Sequence, residues 1–206
     1  MEKRFIQEND LLLDAYRLGV KIWNSGFRPN FIVGLWRGGS SVGIAVQECL
    51  QYLGVETDHI AVRTSYRGMQ SYDAMVENAQ DIRVHGTQYL LERLNADDRL
   101  LIVDDVYSSG LSVKAVIDRL TSKAKRNLPR ELRVAVPWVK LASIRTGRLP
   151  DYYLHETDQW LVLPYELKGL TPEEIRAHKP FLEPLLRGLP GFPETAAATG
   201  EARTGP

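Results

Sequence analysis

Leu100 to Ser112 read LLIVDDVYSSGLS, and the order of residue types in this stretch decides the fold. Leu100 to Val103 form the short continuous apolar run of a strand buried on both faces, as in a parallel sheet. Two adjacent carboxylates, Asp104 and Asp105, close that run. Ser108-Ser109-Gly110-Leu111-Ser112 then leads into Val113, Val116, Ile117 and Leu120, which recur at helical spacing. The turn offers backbone N–H groups and hydroxyls at the positive end of a helix, a setting suited to a phosphate. The carboxylates suit vicinal sugar hydroxyls or a hard cation. A phosphate at one end and a diol at the other describe a ribose 5-phosphate.

Working outward, strands alternate with helices. Asn9 or Asp10 is expected to cap a first helix carrying Leu11, Ala15, Leu18 and Ile22, with Gly26 just past its end. Phe31 to Leu35 reads as a strand, followed by Arg37-Gly38-Gly39 and a helix containing Cys49. Asp58 to Arg63 is a further strand. Residues 64–85 are polar and irregular, too long for an ordinary connection, and are expected to form a lid. A short helix near Thr87 to Leu94 precedes the central strand, and Leu132 to Pro137 is the next strand after it. This alternation predicts a parallel α/β sheet with its site at the C-terminal strand ends. Tyr152 to His155 and Trp160 to Leu163 read as late strands capping that edge. Thr171-Pro172-Glu173-Glu174 opens a last helix. Residues 190–206 turn to Pro, Gly, Ala, Thr and Glu, the composition of a disordered tail.

Composition excludes several function classes. Lys plus Arg and Asp plus Glu number 26 each, so no global charge favours nucleic acid or an anionic membrane. The lone cysteine, Cys49, excludes an internal disulfide and a cysteine zinc site, and its apolar helical neighbours mark it as a small core residue. His59, His85, His155 and His178 show no ligand spacing. The opening MEKRFIQEND carries no targeting pattern and no run approaches a membrane span. A soluble cytoplasmic protein is expected.

The central stretch resembles the signature of the type I phosphoribosyltransferases, which bind 5-phosphoribosyl 1-diphosphate with Mg²⁺ and join its sugar to a nucleobase. The resemblance covers about residues 28–167. It implies an α/β fold, a parallel sheet flanked by helices with a small C-terminal hood, in one domain over 1–189. Asp104 and Asp105 would hold the ribose hydroxyls and the metal, and Ser108, Ser109, Gly110, Leu111 and Ser112 the 5-phosphate. Arg37 and Gly38 correspond to the family's pyrophosphate loop, where a non-proline cis peptide is common; here that bond would be Trp36–Arg37. Ser65-Tyr66 resembles the lid pair of the hypoxanthine-guanine branch and would close over the diphosphate. Lys140, in PWVK after the strand Leu132 to Pro137, matches the lysine that meets O6 of an oxopurine. Asp158 to Glu166, DQWLVLPYE, resembles the base-binding hood of bacterial xanthine-guanine enzymes. Trp160 would stack on the purine, Leu161 would bond its edge through the backbone, and Glu166 is a further candidate metal ligand. Taken without the resemblance, Trp160 reads as a core residue and Lys140 as a surface one.

One position departs from the pattern. The third residue after the acid pair is usually an aspartate near N7 of the base, and here it is Ser108. A serine hydroxyl cannot take up a proton at pH 7 as a carboxylate does, which places about 10²–10⁴-fold in rate at stake. Tyr107 is expected to point elsewhere. The resemblance implies a purine-salvage enzyme, a homo-oligomer with small-molecule substrates and no nucleic-acid or membrane partner. It transfers ribose 5-phosphate to hypoxanthine, guanine or xanthine. Two alternatives stay open: a non-catalytic nucleotide-binding regulator of the same fold, and transfer to a non-purine acceptor.

Overall fold

The apolar run of the central stretch is a strand, with Leu100, Leu101, Ile102 and Val103 all fully buried. The computed structural model describes residues 2–66 and 82–192. The chain divides into two compact units, Met1–Pro164 and Tyr165–Pro206. In the first run β1 (Lys3–Phe5), α1 (Glu8–Asn24), β2 (Phe31–Trp36), α2 (Gly38–Tyr52), β3 (Asp58–Tyr66), β4 (Ile82–His85), α3 (Gln88–Arg93), β5 (Arg99–Val103), β6 (Val106–Tyr107), α4 (Leu111–Ala124), β7 (Glu131–Val139), β8 (Tyr152–Glu156) and β9 (Trp160–Val162). The second carries α5 (Pro172–His178) and α6 (Glu183–Leu186). No helix among the described residues is long and apolar enough to cross a membrane.

The main sheet has the order β4-β3-β2-β5-β7, with β6 and β8 both paired to β7. Every pairing is parallel except β3 with β4. Val33, Ile102, Val134 and Val136 from the sheet pack with Val113, Val116 and Leu120 of α4 in one core cluster. Continuous apolar strands are what a sheet covered by helices requires.

A single proline shapes the centre of this sheet. β5 pairs with β7 up to Val103 against Ala135, and β6 resumes at Val106 against Trp138 with the same offset. The Asp104 N–H still reaches the Ala135 carbonyl at 3.2 Å. Opposite the gap stands Pro137, which has no N–H to donate. The ladder breaks there, and the next two backbone N–H groups bond to the carboxylates instead. Asp105 N–H donates to Asp104 Oδ1 (3.0 Å), and Val106 N–H to Asp105 Oδ1 (2.7 Å).

Several sequence expectations need correction. The first helix begins at Glu8 behind Gln7, which makes no side-chain cap, while Asp10 lies inside the first turn. Residues 64–66 and 82–85 are not irregular: Tyr66 pairs with Ile82 and Thr64 with Val84 in an antiparallel ladder. The remainder of the expected lid, 67–81, lies outside the described residues. The two late strands do not form one cap. β8 extends the main sheet beside β7, whereas β9 pairs in parallel with β1, an N-terminal strand the sequence did not reveal. The last helix starts as read, with a complete capping box between Thr171 and Glu174. Phe192 donates its N–H to Leu189 O at 2.9 Å and its ring lies under the Arg176 guanidinium. The rest of the expected tail, 193–206, lies outside the described residues.

Candidate functional site

The loop that follows the acid pair is built by one glycine. Gly110 adopts φ +76°, caps α4, and accepts the Lys114 N–H through its carbonyl at 2.9 Å. A Cβ there would meet Tyr107 Oη at 2.5 Å and Thr146 Oγ1 at 2.7 Å, so glycine is needed for both conformation and space. Tyr107, expected to point elsewhere, is buried beneath the loop and still borders its cavity. Its ring is buried, and its hydroxyl donates to the Arg148 carbonyl at 2.9 Å. Ser109 Oγ accepts from Leu111 N–H at 3.4 Å. Asp104, Ser108, Ser109, Gly110 and Ser112 face a cavity of about 100 Å³. A water takes about 30 Å³, so the cavity has room for a group of phosphate size.

A second loop closes against the first. Trp36–Arg37 is a cis peptide, and Trp36 and Arg37 are both exposed. Gly38 and Gly39 behind them are buried in the first turn of α2. A Cβ on Gly39 would lie 2.4 Å from Val103 O, 2.8 Å from Asp104 Cα and 3.0 Å from Asp104 Oδ1. The start of α2 therefore rests directly on Asp104, the first of the acid pair. Neither α2 nor α4 carries an acidic residue in its first turn, which leaves two positive helix ends unneutralised. Ser40 Oγ, next in α2, is buried with no hydrogen-bond partner among the described residues.

Burial, then the neighbouring Asp105 charge, pushes the Asp104 carboxyl well above the usual carboxylate range. A cation or sugar hydroxyls placed on the pair would favour the charged form. His59 supports the same region from below. Its ring lies between Gly34 and Gly43, where a Cβ on either would come within about 3.0 Å of the imidazole. Gln47 Nε2 donates to Thr57 O, so Gln47 Oε1 receives the His59 Nδ1–H at 3.1 Å. Burial holds the His59 pKa below its ordinary value. Sequence reasoning missed this support; two small residues facing a histidine across strand and helix leave no linear signal.

The remaining candidates are placed as follows. Lys140 follows β7, half-buried, with its N–H on Tyr107 O at 2.9 Å. Trp160 on β9 is 49% exposed, which removes the core reading, while Leu161 beside it is buried. Ser65 lies in β3 with its hydroxyl 2.8 Å from His85 Nε2; Tyr66 ends that strand, and its side chain lies outside the described residues. Glu166 falls in the second unit. Cys49 is half-buried where α1 crosses α2, its Sγ 2.9 Å from where a Gly19 Cβ would sit.

This assembly of loops on the C-terminal edge of a parallel sheet has a family counterpart. The phosphoribosyl transferase domain matches residues 7–168. The chain belongs to the phosphoribosyltransferase family. A purine phosphoribosyltransferase from Pyrococcus horikoshii superposes with TM-score 0.60 at 21% identity, covering 82% of this chain and 98% of that one. A Neisseria gonorrhoeae protein of unassigned function, solved with bound ppGpp, gives TM-score 0.65 at 19% identity, with 89% and 97% covered. The Helicobacter pylori xanthine-guanine-hypoxanthine phosphoribosyltransferase gives 0.60 at 14%, with 86% and 100% covered. At these identities the shared property is the phosphoribosyltransferase fold. No curated protein matches the chain.

Proposed function

We propose that this phosphoribosyltransferase moves ribose 5-phosphate from 5-phosphoribosyl 1-diphosphate to a 6-oxopurine, releasing diphosphate, as a cytoplasmic, homo-oligomeric enzyme of purine salvage. The observation that carries the reading is the contact of Gly39 with Asp104, because it makes the arginine loop, the acid pair and the phosphate loop one continuous site. In that site Ser108 to Ser112 hold the 5-phosphate through backbone N–H groups and hydroxyls. Asp104 and Asp105 orient the ribose hydroxyls, and their charge favours the positive sugar ring of the transition state. Arg37, Gly38 and the start of α2 receive the leaving diphosphate, with Ser40 Oγ as a buried hydroxyl in the same turn. Ser65 and Tyr66 approach the diphosphate from the end of β3. Lys140 meets O6 of the base, and Trp160 offers its exposed face for stacking.

The acid pair fits Mg²⁺, which is held by one or two carboxylates while water and substrate oxygens complete its shell. Among the described residues no group of three or more His, Cys, Asp or Glu is placed to hold a metal, so the sugar diphosphate would supply the remaining ligands. When bound, Mg²⁺ offsets charge on the leaving diphosphate.

A second reading is a nucleotide-binding regulator. It is favoured by Ser108, a neutral group where proton uptake is expected, and by the gonococcal relative solved with bound ppGpp. Purified protein incubated with the sugar donor, Mg²⁺ and a panel of bases separates the two. Diphosphate release with an oxopurine is expected; nucleotide binding without release selects the regulator.

A further inference from the structure

A groove of about 920 Å³ runs between β4 and α4, and it shares no lining residue with the loop cavity. Its helical wall is one stripe of α4, from Leu111 through Ala115 to Ser122, at spacings of three and four. Lys114 and Arg119 face it from α4, and Arg145 from the loop after β7, while Arg83 of β4 alternates with Ile82 and Val84 and lies on the other face of the strand. Among the described residues Asp118 is the one acid in its lining, and it is tied to Lys114 at 2.6 Å. The guanidinium groups of Arg119 and Arg145 have no acidic partner among the described residues. In a chain of formal net charge zero, this is a local excess of positive charge. Ile82, Val84, Leu111 and Ala115 give the groove an apolar floor.

The groove is mechanically joined to the phosphate loop. The Arg145 N–H donates to Ser109 O at 3.0 Å. The next residue, Thr146, has its hydroxyl 3.2 Å from Tyr107 Oη, directly against Gly110. A ligand that draws Arg145 toward α4 therefore pulls on the backbone that shapes the loop. The volume is that of a small-molecule site, which runs about 300–1,000 Å³.

We propose that this groove is an effector site for a small polyphosphate anion, bound by Lys114, Arg119 and Arg145, which alters substrate affinity through the Arg145–Ser109 link. Its coupling to turnover rests on the reading of Ser108 to Ser112 as a phosphate loop; its binding does not. The probes are inorganic tripolyphosphate and ATP, titrated calorimetrically into the full-length protein without Mg²⁺. The native protein should bind two equivalents, one in the loop and one in the groove. Arg119→Glu with Arg145→Glu should bind one, and Gly110→Val, which blocks the loop, should also retain one. Tighter binding of ATP than of tripolyphosphate identifies a nucleotide resting on the apolar floor; equal affinities identify the phosphate chain as the recognised part. Should the double variant misfold by circular dichroism, Arg119→Gln alone should weaken the groove equivalent at least threefold. In diphosphate release, tripolyphosphate should shift the apparent affinity for the sugar donor in both proteins by competing at the loop, and in the native protein by about fivefold more than in the double variant; equal shifts in the two proteins would overturn the coupling. Native stoichiometry in the groove variants, or loss of all binding in Gly110→Val, overturns the proposal. Failure of every protein to release diphosphate would sink the transferase reading while leaving the two stoichiometries readable.

Discussion

Gly39→Ala is the smallest change that separates the two halves of the site. The added Cβ would lie 2.4 Å from Val103 O and 2.8 Å from Asp104 Cα, both backbone atoms, where ordinary contact begins at 3.4 Å. Neither partner is a flexible side chain, so the start of α2 must retreat from β5 by about 1 Å. Overpacking of this kind costs roughly 1–3 kcal/mol. In a chain of this length that corresponds to a melting temperature lower by about 2–12 °C. The functional loss should be larger in kind. A displacement near 1 Å at a positioning contact costs on the order of 10²-fold in rate, because Arg37 and the acid pair must grip the diphosphate and the ribose of one substrate. The assay is diphosphate release with saturating base and varied sugar donor, paired with a thermal melt. A folded Gly39→Ala protein with turnover within about twofold of native and an unshifted melt would refute the claim that α2 is seated on Asp104.

Asp104 gives a pH prediction. Its carboxyl is raised in the folded protein by burial and by Asp105, so the native state binds this proton more tightly than the unfolded chain. The group therefore costs stability as pH rises above the ordinary carboxylate value, and the cost is complete above the raised value. Asp104→Asn should melt higher than native at pH 7.5, with the difference fading toward pH 3, while losing turnover; a lower melt at pH 7.5 contradicts this. Trp160→Ala should leave the melt nearly unchanged, given its exposure, but cost on the order of 1–3 kcal/mol in purine affinity by calorimetry. Lys140→Ala should harm guanine and hypoxanthine more than adenine, and equal losses would argue against an O6 contact. Ser108→Asp should raise turnover on oxopurines at neutral pH, since a carboxylate can exchange a proton where serine cannot; a fall would point to an acceptor for which an added charge is harmful.

What the sequence made legible was local. Leu100 to Val103, the acid pair, Gly110 and the start of α4 follow from burial, turn conformation and helical spacing within thirteen residues, and each is where it was expected. The cis bond falls at Trp36–Arg37, where the family resemblance put it. What stayed hidden was the choice of partner. β9 pairs with β1 across nearly the whole first unit, and three residues of Lys-Arg-Phe carry no periodic signal. The sequence shows the glycines after Arg37 but not what lies against them: the missing Cβ of Gly39 makes room for Asp104. The effect of Pro137 was equally invisible, because a proline in one strand breaks the ladder only once its neighbour and register are fixed. Asn9 and Asp10 are good capping residues by type, yet the helix starts earlier, and Asp10 serves its positive end from inside the first turn.

The central claim is tested most directly by following the phosphorus atoms. Native protein, 5-phosphoribosyl 1-diphosphate, Mg²⁺ and guanine or hypoxanthine, observed by ³¹P NMR, should show the donor diphosphate resonances replaced by free diphosphate and a nucleoside monophosphate. The double variant Asp104→Asn with Asp105→Asn should leave the donor intact over the same time. A donor untouched by the native protein with every oxopurine, or equal conversion by native protein and double variant, would contradict the account.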